Sequence, residues 1–307
     1  MFKKLPEKVT LIEVGPRDGL QFESKILSTN LKLQIINDLI NSGIKQIQVT
    51  SFVNPKRVPQ MADARELSTR LNHNIPGIRL TALALNPTGV HRAHDAGFKH
   101  LEVSISASNA HSLKNAGIPL DQAIENGKQM IRLAKQYGIN TRAGIQCAFG
   151  CAYQGPIPQN QVIHIAKIFI ESGADALAIS DTTGMADPFA IKTLLRELTP
   201  LANNLQIILH LHDTRGLGLV NLVTAMNYGV SYFDTSVAGM GGCPFVPGAA
   251  GNIPTEDTAW LLKTLNIKTG INIRKLIKTS LNIQKIFSKR FPGKLAHTAA
   301  NKSVNLF

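Results

Sequence analysis

Short apolar, β-branched runs recur along the chain, separated by segments whose apolar residues return every three or four positions. The first pattern suits strands and the second suits helices with one buried face. The runs predict strands over Val9–Val14, Gln46–Thr50, Arg79–Leu85, Leu101–Ile105, Thr141–Ala148, Ala176–Ser180, Ile207–Leu211 and Tyr232–Ser236. Helices are predicted between and after them, over Thr29–Ser42, Val58–Leu71, Thr88–Ala96, Leu120–Tyr137, Gln159–Ser172, Pro188–Leu201, Leu219–Tyr228 and Thr255–Leu265. Five of these helices run into a glycine, at Gly43, Gly97, Gly138, Gly173 and Gly229. A glycine there closes a helix in the left-handed conformation without a Cβ clash. Eight strands alternating with eight helices is the element count of an α/β fold of the (β/α)8 TIM-barrel type. A doubly wound open sheet would place a G-x-G-x-x-G loop after its first strand. Here that strand leads into Gly15-Pro16-Arg17-Asp18-Gly19-Leu20-Gln21. One domain is expected over 1–307, with the barrel at about 9–265 and further helices at about 270–307.

Composition narrows the class. Of 307 residues, 44% are hydrophobic and 17% charged, enough apolar surface to repay the entropy of ordering. Three cysteines in a chain of this length do not make a disulfide scaffold. No apolar run reaches the roughly 18 residues of a membrane span. The opening Met1–Lys8 does not read as a secretory signal, and a cytoplasmic protein with no membrane partner is expected. The net charge of +13 suggests nucleic acid until it is located, because Thr258–Phe307 holds ten Lys or Arg and no Asp or Glu. Arg274, Lys278, Lys285 and Lys289 fall near one helical face, with Ile273, Leu276, Ile277, Ile283 and Phe287 elsewhere around the helix. No stacking aromatics interleave the charges, so a solvated helix face is expected rather than a nucleic-acid partner.

In a barrel, chemistry sits at the C-terminal ends of the strands. Polar residues crowd that end: Arg17 and Asp18 after strand 1, Gln48 in strand 2, Asp181 after strand 6, and His210 and His212 on strand 7. Alternate residues of a strand face one way, so both imidazoles can enter the barrel mouth. A hydrogen-bonded histidine pair would look the same. With a strand 1 carboxylate and an amide on the strand 8 loop, the set becomes mixed N/O ligation suited to Mg²⁺ or Mn²⁺. Cys147 and Cys151 have the spacing of a zinc half-site, but no second pair accompanies them, and packing is the expected role. Cys243 lies in the glycine-rich stretch Gly239–Asn252, where a thiol on a swinging loop can move a proton.

These residues resemble the 3-hydroxy-3-methylglutaryl-CoA lyase family. The matching blocks are Glu13–Gln21, Thr50–Val53, His210–Thr214, Val237–Pro244, Gly251-Asn252 and Thr255–Asp257, running in order across nearly the whole chain. The resemblance implies a metal-dependent carbon–carbon lyase that cleaves 3-hydroxy-3-methylglutaryl-CoA to acetyl-CoA and acetoacetate. A paralogue cleaving another branched 3-hydroxyacyl-CoA, or a synthase or aldolase of the same superfamily, is the alternative. It further implies that Asp18, His210, His212 and Asn252 hold one divalent cation, Mg²⁺ or Mn²⁺. Arg17 would face the enolate oxygen, Cys243 would protonate the enolate carbon, and Asp181 or His210 would take the hydroxyl proton. Gln21, Gln48 and Asn115 would lie near the acyl-CoA substrate, and a homodimer is expected. The family usually has glutamate where this chain has Gln48, a carboxylate that pairs with the strand 1 arginine. A neutral amide there should leave Arg17 less tethered and the pocket more positive. His111 replaces a common aromatic residue.

Overall fold

A computed structural model describes residues 5–242 and 250–300. Eight strands close into a barrel in sequence order: β1 (Thr10–Glu13), β2 (Gln46–Ser51), β3 (Arg79–Ala84), β4 (His100–Ser106), β5 (Asn140–Gln146), β6 (Ala176–Ser180), β7 (Gln206–His210) and β8 (Tyr232–Thr235). Every neighbouring pair is parallel, and β8 returns to β1 with Thr10 opposite Tyr232 and Glu13 opposite Thr235. The predicted TIM barrel is thus the observed fold, with each strand present to within about two residues at its ends.

The helices lie outside. In chain order they are α1 (Thr29–Asn41), α2 (Ala64–Arg70), α3 (Pro87–Asp95), α4 (Asn109–Asn115), α5 (Leu120–Gln136), α6 (Gln159–Glu171), α7 (Pro188–Ala202), α8 (Gly218–Met226), α9 (Thr255–Thr264), α10 (Ile273–Phe287) and α11 (Lys294–Ala300). The five closing glycines all have positive φ, from +67° at Gly138 to +98° at Gly43. α5 shows how a helix seats: Ala123, Gly127, Met130, Ile131 and Ala134 form its buried face. A Cβ on Gly127 would stand 2.7 Å from the Phe169 ring, so the glycine sets how closely α5 and α6 approach.

Two features differ from the sequence reading. The helix expected over Val58–Leu71 is a short turn at Pro59–Met61 followed by α2. The buried Lys32 ammonium takes the Gln60 carbonyl and the Asp63 carboxylate, drawing that backbone away from a continuous helix. The sequence pattern does not predict α4 at all. It starts at Ser108, whose hydroxyl accepts from His111 N at 3.1 Å, and it has too few apolar residues to show a period.

α10 buries Ile273, Leu276, Ile277 and Ile283 and leaves Arg274, Lys278 and Lys285 exposed, which is the solvated face read from the spacing. Lys289 differs, pairing with the buried Glu23 at 2.8 Å. None of the described helices is long and apolar enough to cross a membrane.

One end of the glycine-rich loop is built into the barrel wall. Glu13 accepts from Gly15 N at 2.8 Å, Val237 N at 2.9 Å and Thr255 Oγ1 at 2.7 Å. Glu256 accepts from Ala238 N at 3.0 Å. Burial pushes both carboxyls up to about 7, against the hydrogen bonds that favour their ionised forms. They fix the turn at Val237–Gly239, where Ala238 has φ 63°, and so the point from which the loop departs.

Candidate active site

The strand 1 motif leaves β1 as a wide helical turn, Gly15–Gly19, that carries Arg17 and Asp18 over the mouth. β7 ends at His210, so His212 lies just past it. There it forms an antiparallel bridge with Asn252 on the returning arm of the loop. Asp18, His210 and His212 offer ligand atoms within 4.8 Å of one another. Asn252 joins them, donating from Nδ2 to Asp18 Oδ2 at 2.7 Å and to Met240 O at 3.2 Å. That closeness depends on glycine: a Cβ on Gly241 would stand 2.5 Å from Asn252 Nδ2.

The electrostatics fit a cation. Burial would raise the Asp18 carboxyl, but Arg17, His210 and His212 hold it near 2. Burial, with His210 alongside, pushes His212 down to about 3, so its imidazole is neutral and has a lone pair to give. Burial opposes a charge on His210 too, yet the Asp234 carboxylate, 3.0 Å from Nδ1, shifts it the other way. That carboxylate also fixes the tautomer and aims Nε2 at the site, as partners of metal-bound histidines do. The two Nε2 atoms stand 3.1 Å apart, close to the spacing of about 3 Å between adjacent ligands of an octahedral ion. Asn252 Oδ1 is buried and has no hydrogen-bond partner among the described residues. A buried acceptor left unpaired costs roughly 1–3 kcal/mol, and a cation would relieve it. The residues therefore suit a hard divalent ion.

Arg17 borders a cavity of about 140 Å³ that also touches Gln21, Glu102, His111, Asn115 and His210. Gln21 and Asn115 thus border the same cavity as Arg17, Asn115 at the exposed end of α4. His111 is buried, and burial pushes it down to about 4, so it lines the cavity as a neutral ring. Asp181 follows β6. Its Oδ1 accepts from Met185 N and Ala186 N at 2.7 and 3.1 Å, and its Oδ2 is buried with no partner among the described residues. Burial pushes this carboxyl up to about 6. Cys243 lies outside the described residues. Cys147 and Cys151 are both buried at the end of β5, and burial with the neighbouring Cys151 pushes Cys147 up to about 12. Among the described residues they take no part in a metal-type cluster.

Gln48 does not loosen Arg17. Its Oε1 accepts from Arg17 Nε, while its Nε2 donates to Glu102 Oε2 at 2.7 Å. The expected surplus of positive charge is also answered, because Glu102 on β4 brings a carboxylate into the cavity wall. From Glu102 the contacts run on to Arg142, Asp234 and His210. Sequence reading missed all three of Glu102, Arg142 and Asp234. Their signal was faint: charged residues inside otherwise apolar strand patterns, Glu102 between Leu101 and Val103 and Asp234 after Phe233.

The HMGL-like family model matches residues 8–283. The chain belongs to the HMGL-like family. Hydroxymethylglutaryl-CoA lyase YngG of Bacillus subtilis is 37% identical over 289 residues, covering 94% of this chain and 96% of its own length. The human cytoplasmic 3-hydroxy-3-methylglutaryl-CoA lyase is 36% identical, with 97% of this chain and 80% of its own covered. The crystal structure of the Bacillus subtilis HMG-CoA lyase superposes with a TM-score of 0.93 at 36% identity, over 97% of this chain and 99% of that one. An HMG-CoA lyase from Acinetobacter baumannii, solved with coenzyme A and 3-methylmalate, gives 0.92 at 32% identity over 98% of each chain. As a member of this lyase family, the chain is an enzyme, and the barrel mouth is where its family chemistry has to be sought.

Proposed function

We propose that this HMGL-like protein cleaves the C2–C3 bond of 3-hydroxy-3-methylglutaryl-CoA, releasing acetyl-CoA and acetoacetate, with Mg²⁺ or Mn²⁺ bound by Asp18, His210, His212 and Asn252. The observation that carries the reading is the convergence of that N/O ligand set with Arg17 at the edge of one cavity. Relatives bearing the lyase name along almost the full chain support it.

The cation would lower the cost of deprotonating the C3 hydroxyl and would hold the substrate's distal carboxylate. His210 is committed on both sides, Nδ1 to Asp234 and Nε2 to the ligand set. Asp181 retains an oxygen without a partner among the described residues, and it takes the hydroxyl proton through a water. C3 becomes the ketone carbon of acetoacetate as the C2–C3 bond breaks, and the electron pair passes to the thioester as an enolate. Arg17, fixed from both sides, meets the charge that grows on the enolate oxygen. Cys243 gives the proton to C2 and so completes acetyl-CoA. Residue patterns shared with this family also carry the expectation of a homodimer.

The direct test is acetyl-CoA release from a panel of 3-hydroxyacyl-CoA thioesters with Mg²⁺ or Mn²⁺. 3-Hydroxy-3-methylglutaryl-CoA should be cleaved most efficiently, and turnover of a different thioester alone would move the substrate to the paralogue reading. Cys243→Ser should keep metal content and Tm but lose most of kcat, because a thiol with a pKa of about 8.5 is a far better acid than an aliphatic hydroxyl. Undiminished turnover by the serine variant would remove Cys243 from the mechanism.

A further inference from the structure

The Gln48 carboxamide is fully buried, and each of its ends has one partner of fixed character. Arg17 only donates, so it must meet the carbonyl oxygen. A carboxylate only accepts, so Glu102 must meet the NH₂ group. Turning the amide over would set NH₂ against guanidinium and oxygen against carboxylate, two repulsive contacts around a buried side chain. Arg17 and Glu102 together therefore fix the orientation of the amide, and Glu102 anchors the end opposite Arg17.

Glu102 is itself held firmly. Its Oε2 lies 2.9 Å from Arg142 Nη2, its register partner on β5. Arg142 bonds Asp234 with both terminal nitrogens, and Asp234 reaches His210. Room for the carboxylate comes from Gly144, where a Cβ would stand 2.8 Å from Glu102 Oε1. Below this layer a second cavity, of about 340 Å³, opens at the other end of the barrel, and Glu102 and Arg142 border it. The carboxylate thus belongs to a hydrogen-bonded floor beneath the active site.

We propose that Glu102 is a positioning residue for the lyase reaction: acting through Gln48, it orients the Arg17 guanidinium toward the developing enolate, and the Gln48–Glu102 pair works with its carboxylate in either place. This rests on the proposed reading of Arg17 as the group facing the enolate. With the two side chains exchanged, the carboxylate on β2 would accept from Arg17 and from the amide on β4, whose oxygen remains for Arg142. Every donor and acceptor is again matched. Gln48→Glu alone sets two carboxylates within hydrogen-bonding distance of each other, so the geometry predicts damage where a simple charge argument at Arg17 would predict gain. Glu102→Gln alone replaces the charge-assisted bonds to Gln48 and Arg142 with neutral ones, roughly half as strong, so the Gln48 amide is held chiefly by Arg17.

The test is the four-member set of wild type, Gln48→Glu, Glu102→Gln and the double exchange. Each single variant should lose at least about tenfold in kcat with little change in KM, because Arg17 acts on charge that appears only in the transition state. The double exchange should return to within about threefold of wild type, with Mg²⁺ affinity and Tm also close to wild type. Independently of any reaction, hydrogen exchange at Arg17 Nε–H, followed by NMR, should quicken at least about tenfold in Glu102→Gln and slow again in the double exchange. Single effects that simply multiply in the double exchange, or an Arg17 Nε–H indifferent to Glu102, would overturn the proposal. A wild type that releases no acetyl-CoA while its Arg17 Nε–H follows the predicted pattern would fault the proposed reaction and leave the positioning of Arg17 by Glu102 standing.

Discussion

Arg17→Met should lower kcat for thioester cleavage about a thousandfold or more while leaving metal binding intact. Removing one preorganised donor from a developing oxyanion costs about 10²–10³ in kcat, and Arg17 brings a full charge as well. The side chain is 9% exposed and clamped between Gln48 and Asp18, so little reorganisation is left to make when the enolate forms. Metal affinity should hold or rise, because a positive charge beside Asp18 disappears. Isothermal titration with Mn²⁺ and single-turnover kinetics separate the two effects. A loss of less than about tenfold, or a collapse of metal binding, would give Arg17 a structural role instead. Arg17→Lys should recover only part of the loss, since an ammonium cannot reach Gln48, Asp18 and a substrate oxygen in one plane.

His212→Ala should weaken Mg²⁺ or Mn²⁺ binding by at least about a hundredfold and reduce turnover to background. Changes in the groups that merely support metal ligands already cost about 10–100-fold, and a ligand itself should cost more. The barrel should survive the change, because His212 lies past the end of β7 and its Nδ1 bonds to nothing among the described residues. Circular dichroism and Tm should therefore match wild type. A variant with full metal content and full activity would remove His212 from the ligand set.

The barrel was legible because its signals are local. Each apolar run is bounded by its own turn residues, and each helix-closing glycine sits next to the helix it ends. The motif residues could be read for a related reason: Arg17 and Asp18 are sequence neighbours, and His210 and His212 share one strand's period. What escaped depends on pairing between strands distant in the chain. Nothing near Glu102 indicates that Arg142 lies opposite it, or that Asp234 stands opposite His210; only the parallel register shows this. The consequence of Gln48 was misjudged for that reason. Judged from strand 2 alone, an amide in place of a carboxylate is a loss, whereas in the closed barrel a carboxylate is present one contact further on. The break before α2 escaped because Lys32, which causes it, lies on another helix.

The burial of Cys147 and Cys151 turns the third thiol into a reporter. At 0% and 1% exposure, neither can meet a water-borne alkylating reagent until the barrel opens. The chain has three cysteines, so a label that couples to folded protein is attached to Cys243. Stoichiometry then separates two events that activity loss alone would merge: one equivalent marks modification of the loop, and three mark unfolding. A fluorophore introduced in this way needs no cysteine-free background, and its rate of attachment with and without a coenzyme A thioester measures how far substrate shields that position.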